Sequence, residues 1–291
     1  MLMAIKDLYF DRIHLNEQSL GQDPTLEKLT RIQEAHLEHI PFENLSQHGC
    51  TRPACLDTES LIDKVLHAKR GGFCFELNAL LSELLVELGY QVARVPAIVY
   101  NPETKFDHAP SHLCLFCTLE DNNYFVDVAF GEPAMHPLEF VLDMEQITAE
   151  GMKSRFVEPD PGYVVLEYYN EVTAGFQPRI RFQREDILSG GMELADFSPH
   201  LNVVYHEQSP FEQKMICCRV TRSHKYTIAG NSLRITTPRF GKESTKTVEV
   251  LDTDDDVRQM LSELFGIPFE ETDGLNMGKS LQAKAEIWKP F

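Results

Sequence analysis

Apolar positions follow a helical rhythm over the first part of the chain and turn to strand-like runs after it. Leu26, Leu29, Ile32 and Ile40 belong to a stripe at three- and four-residue spacing that stops at Pro41, which cannot continue a helix. Thr58 is placed to cap a second helix whose apolar face carries Leu61, Ile62, Val65 and Leu66, with Lys69, Arg70 and the pair Gly71-Gly72 as its stop. A third helix starts near Cys74, buries Leu77, Leu81, Leu84 and Leu88, and ends at Gly89. The valine-rich run from Gln91 to Tyr100 predicts a strand. His112 to Leu119 and Tyr124 to Ala129 flank a polar turn at Glu120 to Asn123 and predict a hairpin. Tyr163 to Tyr169 and Pro178 to Gln183 add strands, and Gly190-Gly191 with Pro199 mark a junction. Met215 to Thr221, Ser232 to Thr236 and Lys246 to Leu251 predict further strands, followed by a helix that Thr253 caps and Gly266 and Pro268 stop. Helices, then strands, then a mixed unit make an α+β chain, not an alternating βαβ one.

Length and charge narrow the picture. A chain of 291 residues, 43% hydrophobic, accommodates two or three packed units. A formal charge of −18 and the lack of any Lys/Arg cluster argue against a nucleic-acid partner. Any anionic ligand then needs a local site that works against the overall field. No apolar run approaches the roughly 20 residues of a spanning helix, so no membrane partner is expected. The first residues do not read as an export signal, which makes the cytoplasm the default location. Seven cysteines at irregular spacing do not form a disulfide framework, and reduced thiols are expected.

One of those thiols stands out. In Arg70-Gly71-Gly72-Phe73-Cys74-Phe75-Glu76-Leu77-Asn78 a glycine pair leads into Cys74 at the first turn of a helix. Free amides and the helix dipole there favour an anion, and a thiolate is the nucleophilic form of cysteine. The same amides suit a developing oxyanion. A buried structural cysteine is the bland alternative. A cysteine nucleophile works with a histidine and an orienting carboxylate. His14, His48, His67 and His108 sit in polar, loop-like settings. His36 and His39 have a metal-pair spacing but no obvious third ligand. His112 opens a strand on the face shared by Cys114 and Phe116, and Asp127 lies in the partner strand among apolar residues, where a carboxylate is costly unless paired. On spacing alone that pair is either a catalytic dyad or an ordinary hairpin with a capped aspartate. Cys114 and Cys117 face opposite sides of their strand, so they share neither a metal nor a disulfide. Glycine-rich phosphate loops and dinucleotide fingerprints are missing.

The stretch Arg70-Gly71-Gly72-x-Cys74-x-Glu76-x-Asn78 resembles the signature of the arylamine N-acetyltransferases. Ile40-Pro41-Phe42-Glu43-Asn44-Leu45 and Val126-Asp127-Val128-x-Phe130-Gly131 are similar to two further family stretches, and Asn202 to Thr221, with Ser209-Pro210-Phe211, to a weaker one. The resemblance implies an N-terminal helical domain (1–90), a central β-barrel (91–198) and a C-terminal α/β lid (199–291), with a catalytic core like that of cysteine proteases. It implies ping-pong transfer of acetyl from acetyl-CoA, without a metal, to an arylamine, arylhydrazine or N-hydroxyarylamine. Cys74 maps to the nucleophile, His112 to the base and Asp127 to the orienting acid. Phe42 and Phe130 map to the acceptor pocket, with core packing as the alternative. Ser111, Ala129 and Gly131 map near the cofactor and acyl site, and Arg70 with Glu43 to a structural ion pair. Ala129 departs from the family, which has glycine there. A cysteine hydrolase or transglutaminase-like enzyme, an amide synthase and a non-catalytic binding protein remain the competing readings of the same residues.

Overall fold

A computed structural model describes residues 4–204, 209–237 and 245–278. Helices α1 (Ile5–Arg12) and α2 (Leu26–His39) open the chain. The Thr25 hydroxyl caps α2 by accepting the Lys28 amide at 3.2 Å. Leu29, Ile32 and Leu37 of this helix are buried, whereas Leu26 is exposed, because the buried stripe starts one turn further in. A two-residue strand β1 (Phe42–Glu43) follows. Helix α3 (Thr58–Leu61) continues through a π-helical turn, Ile62–His67. Asp57, not Thr58, is its cap: the carboxylate accepts the Ser60 amide at 2.9 Å, and a full negative charge suits the helix start better than a hydroxyl.

The helix closes at Ala68, so Lys69 and Arg70 lie beyond its end. Arg70 is fully buried instead and forks onto Glu43, Nε to Oε1 at 2.9 Å and Nη2 to Oε2 at 3.1 Å. Burial alone would raise the Glu43 carboxyl; Arg70 and Lys64 outweigh it and hold the group below the usual range. Arg70 also donates to the carbonyls of Thr51 and Glu271, which ties the start of the chain to its C-terminal part. Truncating one partner of such a buried pair typically costs about 3–5 kcal/mol.

Helix α4 (Cys74–Glu87) runs through the largest apolar cluster, where Leu77, Leu81 and Leu84 have no exposed surface. Strands β2 (Gln91–Val99), β3 (His112–Leu119), β4 (Asn122–Val126), β5 (Leu138–Glu139), β6 (Gln146–Ile147), β7 (Lys153–Asp160), β8 (Tyr163–Asn170) and β9 (Gly175–Gln183) form one antiparallel sheet in the order β5-β4-β3-β2-β9-β8-β7-β6. Its ends meet through one side chain: the Gln146 amide bonds the Glu139 backbone both ways, at 3.0 and 2.8 Å, so the sheet curls into a nearly closed barrel. Alternation along β3 puts Cys114 and Phe116 in the barrel core and Leu113, Leu115 and Cys117 against α4, the sidedness that separates the two cysteines.

Short helices α5 (Arg184–Leu188), α6 (Ser198–Val204) and α7 (Pro210–Gln213) lead to the second sheet. Gly191 does not mark a free linker, because its backbone bridges Arg94 of β2. The second sheet runs β1-β10-β11-β12-β13, with β10 (Ile216–Val220), β11 (Lys225–Ala229), β12 (Ser232–Thr237) and β13 (Thr245–Val250). Helix α8 (Asp254–Phe265) packs on it, capped by Thr253 and closed by Gly266 in the left-handed region at φ 71°. Helices, a barrel-like sheet and a mixed second sheet make the fold α+β. Among the described residues no helix is long and apolar enough to cross a membrane. Part of the stretch from Asn202 to Thr221, residues 205–208, lies outside the described residues.

Candidate active site

Two glycines clear the space in which Cys74 is set. A Cβ on Gly71 would lie 2.0 Å from the Pro41 carbonyl oxygen, and one on Gly72 would lie 2.8 Å from the Glu76 carboxylate. That clearance lets β1 run beside the turn: the Glu43 amide donates to the Gly72 carbonyl at 2.9 Å. Phe73 then sits at the cap in extended backbone and offers no side-chain oxygen to the first turn of α4. The Glu76 carboxylate accepts the Phe73 amide at 3.1 Å and is gripped by the Lys64 ammonium at 2.8 and 2.9 Å. Cys74 is the first residue of the helix, at the positive end of its dipole. Its sulfur lies 3.7 Å from the Ser111 carbonyl oxygen.

His112 is the first residue of β3. Asp127 does not lie in the partner strand as its apolar neighbours suggest. The ladder ends at Leu115 opposite Val126, and Asp127 turns out of it, which frees its side chain to reach His112. His112 Nε2 meets Asp127 Oδ2 at 2.6 Å, with both side chains 2% exposed. That leaves Nδ1 for Cys74, which acts on the ring by raising its pKa. Burial pushes the imidazole pKa down, but the charges and hydrogen bonds of Asp127 and Cys74 prevail and raise it to about 10. The structure thus brings Cys74, His112 and Asp127 to one point.

Asn78 joins the three, a role the sequence reading did not give it. One turn along α4 from Cys74, its Nδ2 donates to Asp127 Oδ1 at 3.0 Å and to the Leu113 carbonyl at 2.7 Å. Its Oδ1 accepts the Val128 amide at 3.1 Å. One amide therefore links the cysteine helix, the histidine strand and the aspartate loop. The signal was present in its four-residue spacing from Cys74, which places both on one helix face.

The remaining candidates surround this point. The Phe130 ring stands edge-on to His112, centroids 5.4 Å apart, and edge-on to Tyr168 at 6.4 Å. The Arg179 guanidinium lies 5.1 Å from the Phe130 ring centre. Phe42 is half-buried, 6.0 Å from Phe211, and packs both on the apolar cluster and on the cleft. Asn44 fixes that corner, donating to the Phe211 and Lys214 carbonyls and accepting the Ile216 amide. The Ala129 amide donates to Asp127 Oδ1 at 2.9 Å, so this residue supports the acid through its backbone. Gly131 turns the loop at φ 76°, and its carbonyl accepts the Cys218 thiol at 3.2 Å.

The histidines set aside earlier fall elsewhere. His36 is buried with Nδ1 2.5 Å from the Tyr9 hydroxyl, and His39 Nδ1 bonds the Ala35 carbonyl. Burial, with Arg12 and His39 adding repulsion, lowers the His36 pKa to about 3, which makes it a neutral core residue. His48, for all its polar, loop-like sequence setting, is 2% exposed and bonds Asn44 and the Phe211 carbonyl, because the segment before β10 folds over it. Among the described residues no group of three or more His, Cys, Asp or Glu could hold a metal ion.

Comparison with known proteins identifies the family of the chain. A family model described as N-acetyltransferase matches residues 25–273. The chain is similar to an arylamine N-acetyltransferase, pineal gland isozyme, of Gallus gallus, with 30% identity over 279 residues that span 90% of this chain and 93% of that protein. It is 28% identical to arylamine N-acetyltransferase 2 of Rattus norvegicus over 91% of this chain and 94% of that one. Among solved structures, the arylamine N-acetyltransferase of Mycobacterium marinum in complex with CoA superposes with a TM-score of 0.79 at 26% identity, covering 94% and 99% of the two chains. With a family model matched across most of its length and a relative of this identity and coverage, the chain belongs to the arylamine N-acetyltransferases, a family of acyltransferases.

Proposed function

We propose that this enzyme moves an acetyl group from acetyl-CoA to an arylamine, arylhydrazine or N-hydroxyarylamine by a ping-pong route through acetyl-Cys74. The observation that carries the reading is the bonded His112–Asp127 pair beside a cysteine at the first residue of a helix. His112 Nδ1 takes the Cys74 proton, and Asp127 holds the ring and stabilises its charge. The sulfur attacks the acetyl carbonyl, amides at the start of α4 steady the oxyanion, and the bond to the CoA sulfur breaks as CoA leaves with the proton. The amine nitrogen then attacks acetyl-Cys74, His112 takes its proton, and the thiol is restored. Cys74 and His112 are 3% and 2% exposed, which supports protection of the thioester from water.

Register supports an anionic donor. The face of the second sheet that carries Cys218 also carries Arg234 and Lys246, with no acid among its paired positions, while Lys225 on the same face is buried against the Glu132 carboxylate at 3.2 Å. That is a local basic surface on a chain of −18. We further propose Phe42, Ser111, Ala129, Phe130 and Gly131 as the lining of the acyl and acceptor sites, and units at 1–90, 91–198 and 199–291. One apolar cluster lies within residues 93–187 and another joins Leu45 and Cys50 to residues 215–277, in line with the last two units, while the largest runs from the helices into β3 and β10. Seven cysteines, none of them in a disulfide, suit a reducing compartment, and the cytoplasm is the proposed location.

Intact-mass measurement after incubation with acetyl-CoA alone tests the reading. One acetyl adduct, mapped to Cys74 and discharged by an arylamine, is expected; a chain that stays unmodified, or that hydrolyses amides instead, rejects it. Asn78→Ala should lower turnover by roughly 10²-fold through misplacement of Asp127. An unchanged kcat would reduce Asn78 to a packing residue.

A further inference from the structure

Beside the triad lies a narrow cleft with three walls: Leu37 of α2 and Ile40 just past its end, Gly131 and Pro133 of the loop after Asp127, and Cys218 and Val220 of β10. It abuts the reacting groups, because Val128, also at its edge, follows Asp127, and Phe42 bridges to Gly72 beside Cys74. Its volume is about 10 Å³, close to the minimum that one water needs. A group much larger than water fits between these walls only as they part.

A single carboxylate ties all three walls. Glu34 of α2 accepts from Arg222 Nε at 3.1 Å and Nη2 at 2.9 Å, a bidentate fork from the turn that follows β10. It also accepts from His136 Nε2 at 2.6 Å, from the far end of the loop that carries Gly131 and Pro133. The Glu34 side chain is 11% exposed, whereas Arg222 is 72% exposed. Burial pushes the Glu34 carboxyl up, and the hydrogen bonds from Arg222 and His136 outweigh it, leaving it below the usual carboxylate range. None of these residues touches the triad, and none belongs to the motifs that stand out in the sequence.

We propose that Glu34 is a positioning residue that sets the width of the cleft beside Cys74 and so selects the size of the group admitted to it. The identity of those groups, acyl donor and aromatic amine, rests on the transferase reading; the width does not. Without the carboxylate, the β10 turn and the loop lose their shared anchor on α2, and bulky molecules gain access relative to small ones. A purely structural role would slow all molecules alike.

The test compares two maleimides of one chemistry and different size, N-methyl and N-(1-pyrenyl), reacting with Cys74 in the full-length protein, with the site read by peptide mass mapping. In Glu34→Ala the pyrenyl-to-methyl rate ratio at Cys74 should rise at least fivefold over the parent, and Glu34→Asp should recover part of the discrimination. Arg222→Met, which removes the fork and leaves His136 in place, should move the ratio in the same direction by less, and it decides the matter if Glu34→Ala does not fold. A ratio within twofold of the parent, or both rates falling by the same factor, overturns the proposal. A ratio that rises in a protein that never forms acetyl-Cys74 upholds the width-setting role and rejects the transferase reading alone.

Discussion

Cys74→Ser should lower acyl transfer on the order of 10⁴-fold or more and leave the fold intact. A serine hydroxyl fits the space but does not form an anion readily, even at the start of α4 with His112 beside it. The buried contacts of Cys74 are with the Ser111 carbonyl and the apolar cluster, and a hydroxyl keeps the first of these. The melting temperature should therefore stay within about 2–4 °C of the parent. Mass measurement after mixing with acetyl-CoA checks the first point and thermal unfolding the second. A serine variant that still turns over would place the nucleophile elsewhere.

Asp127→Asn should cost about 10³–10⁴-fold in kcat. The amide keeps the shape but loses the charge, and it can present a donor where His112 Nε2 requires an acceptor. Asn78 and Ala129 both donate to Oδ1 while His112 meets Oδ2, so the amide either turns its NH2 on His112 or turns it on both of the other donors. The sign of the pH effect follows from the causes of the His112 shift. Burial lowers that pKa, and Asp127 together with Cys74 raises it to about 10. Without the Asp127 charge, burial gains weight and the ring gives up its proton at lower pH than in the parent. Titration of the His112 ring by NMR, assigned by comparison with a His112 variant, would show it. A ring that titrates as before, or a kcat within tenfold of the parent, would make Asp127 a structural residue.

What could be read before the structure divides along sequence distance. The start of α4 at Cys74, the caps at Thr253 and Gly266, and the split of Cys114 from Cys117 were legible because each depends on neighbours within a few positions. So was the His112–Asp127 partnership, since a hairpin brings its arms together whatever the rest of the chain does. The Arg70–Glu43 pair was legible only through the family resemblance, and the local pattern around Arg70 pointed elsewhere. A basic residue before glycine looks like a helix end, and only the arrival of β1 turns it into a buried partner of Glu43. Strands β7 and β11 escaped notice because polar or charged residues take up positions on their buried faces: Ser154 beside Phe156 in β7, and Lys225 and Thr227 in β11. His48 and the Glu34, His136 and Arg222 group depend on segments more than a hundred residues away, and no local pattern announces such meetings.

Residues 42–43 form the outer strand of a sheet whose other strands begin at Ile216. During synthesis Phe42 must wait for Cys218, an interval of roughly 10–35 s at about 5–20 residues per second. Until then the turn before Cys74 has no completed wall opposite it. The catalytic crevice is thus among the last parts of the molecule to close on the ribosome, and truncation anywhere short of β10 should leave a chain with a folded hairpin and helices but no working site.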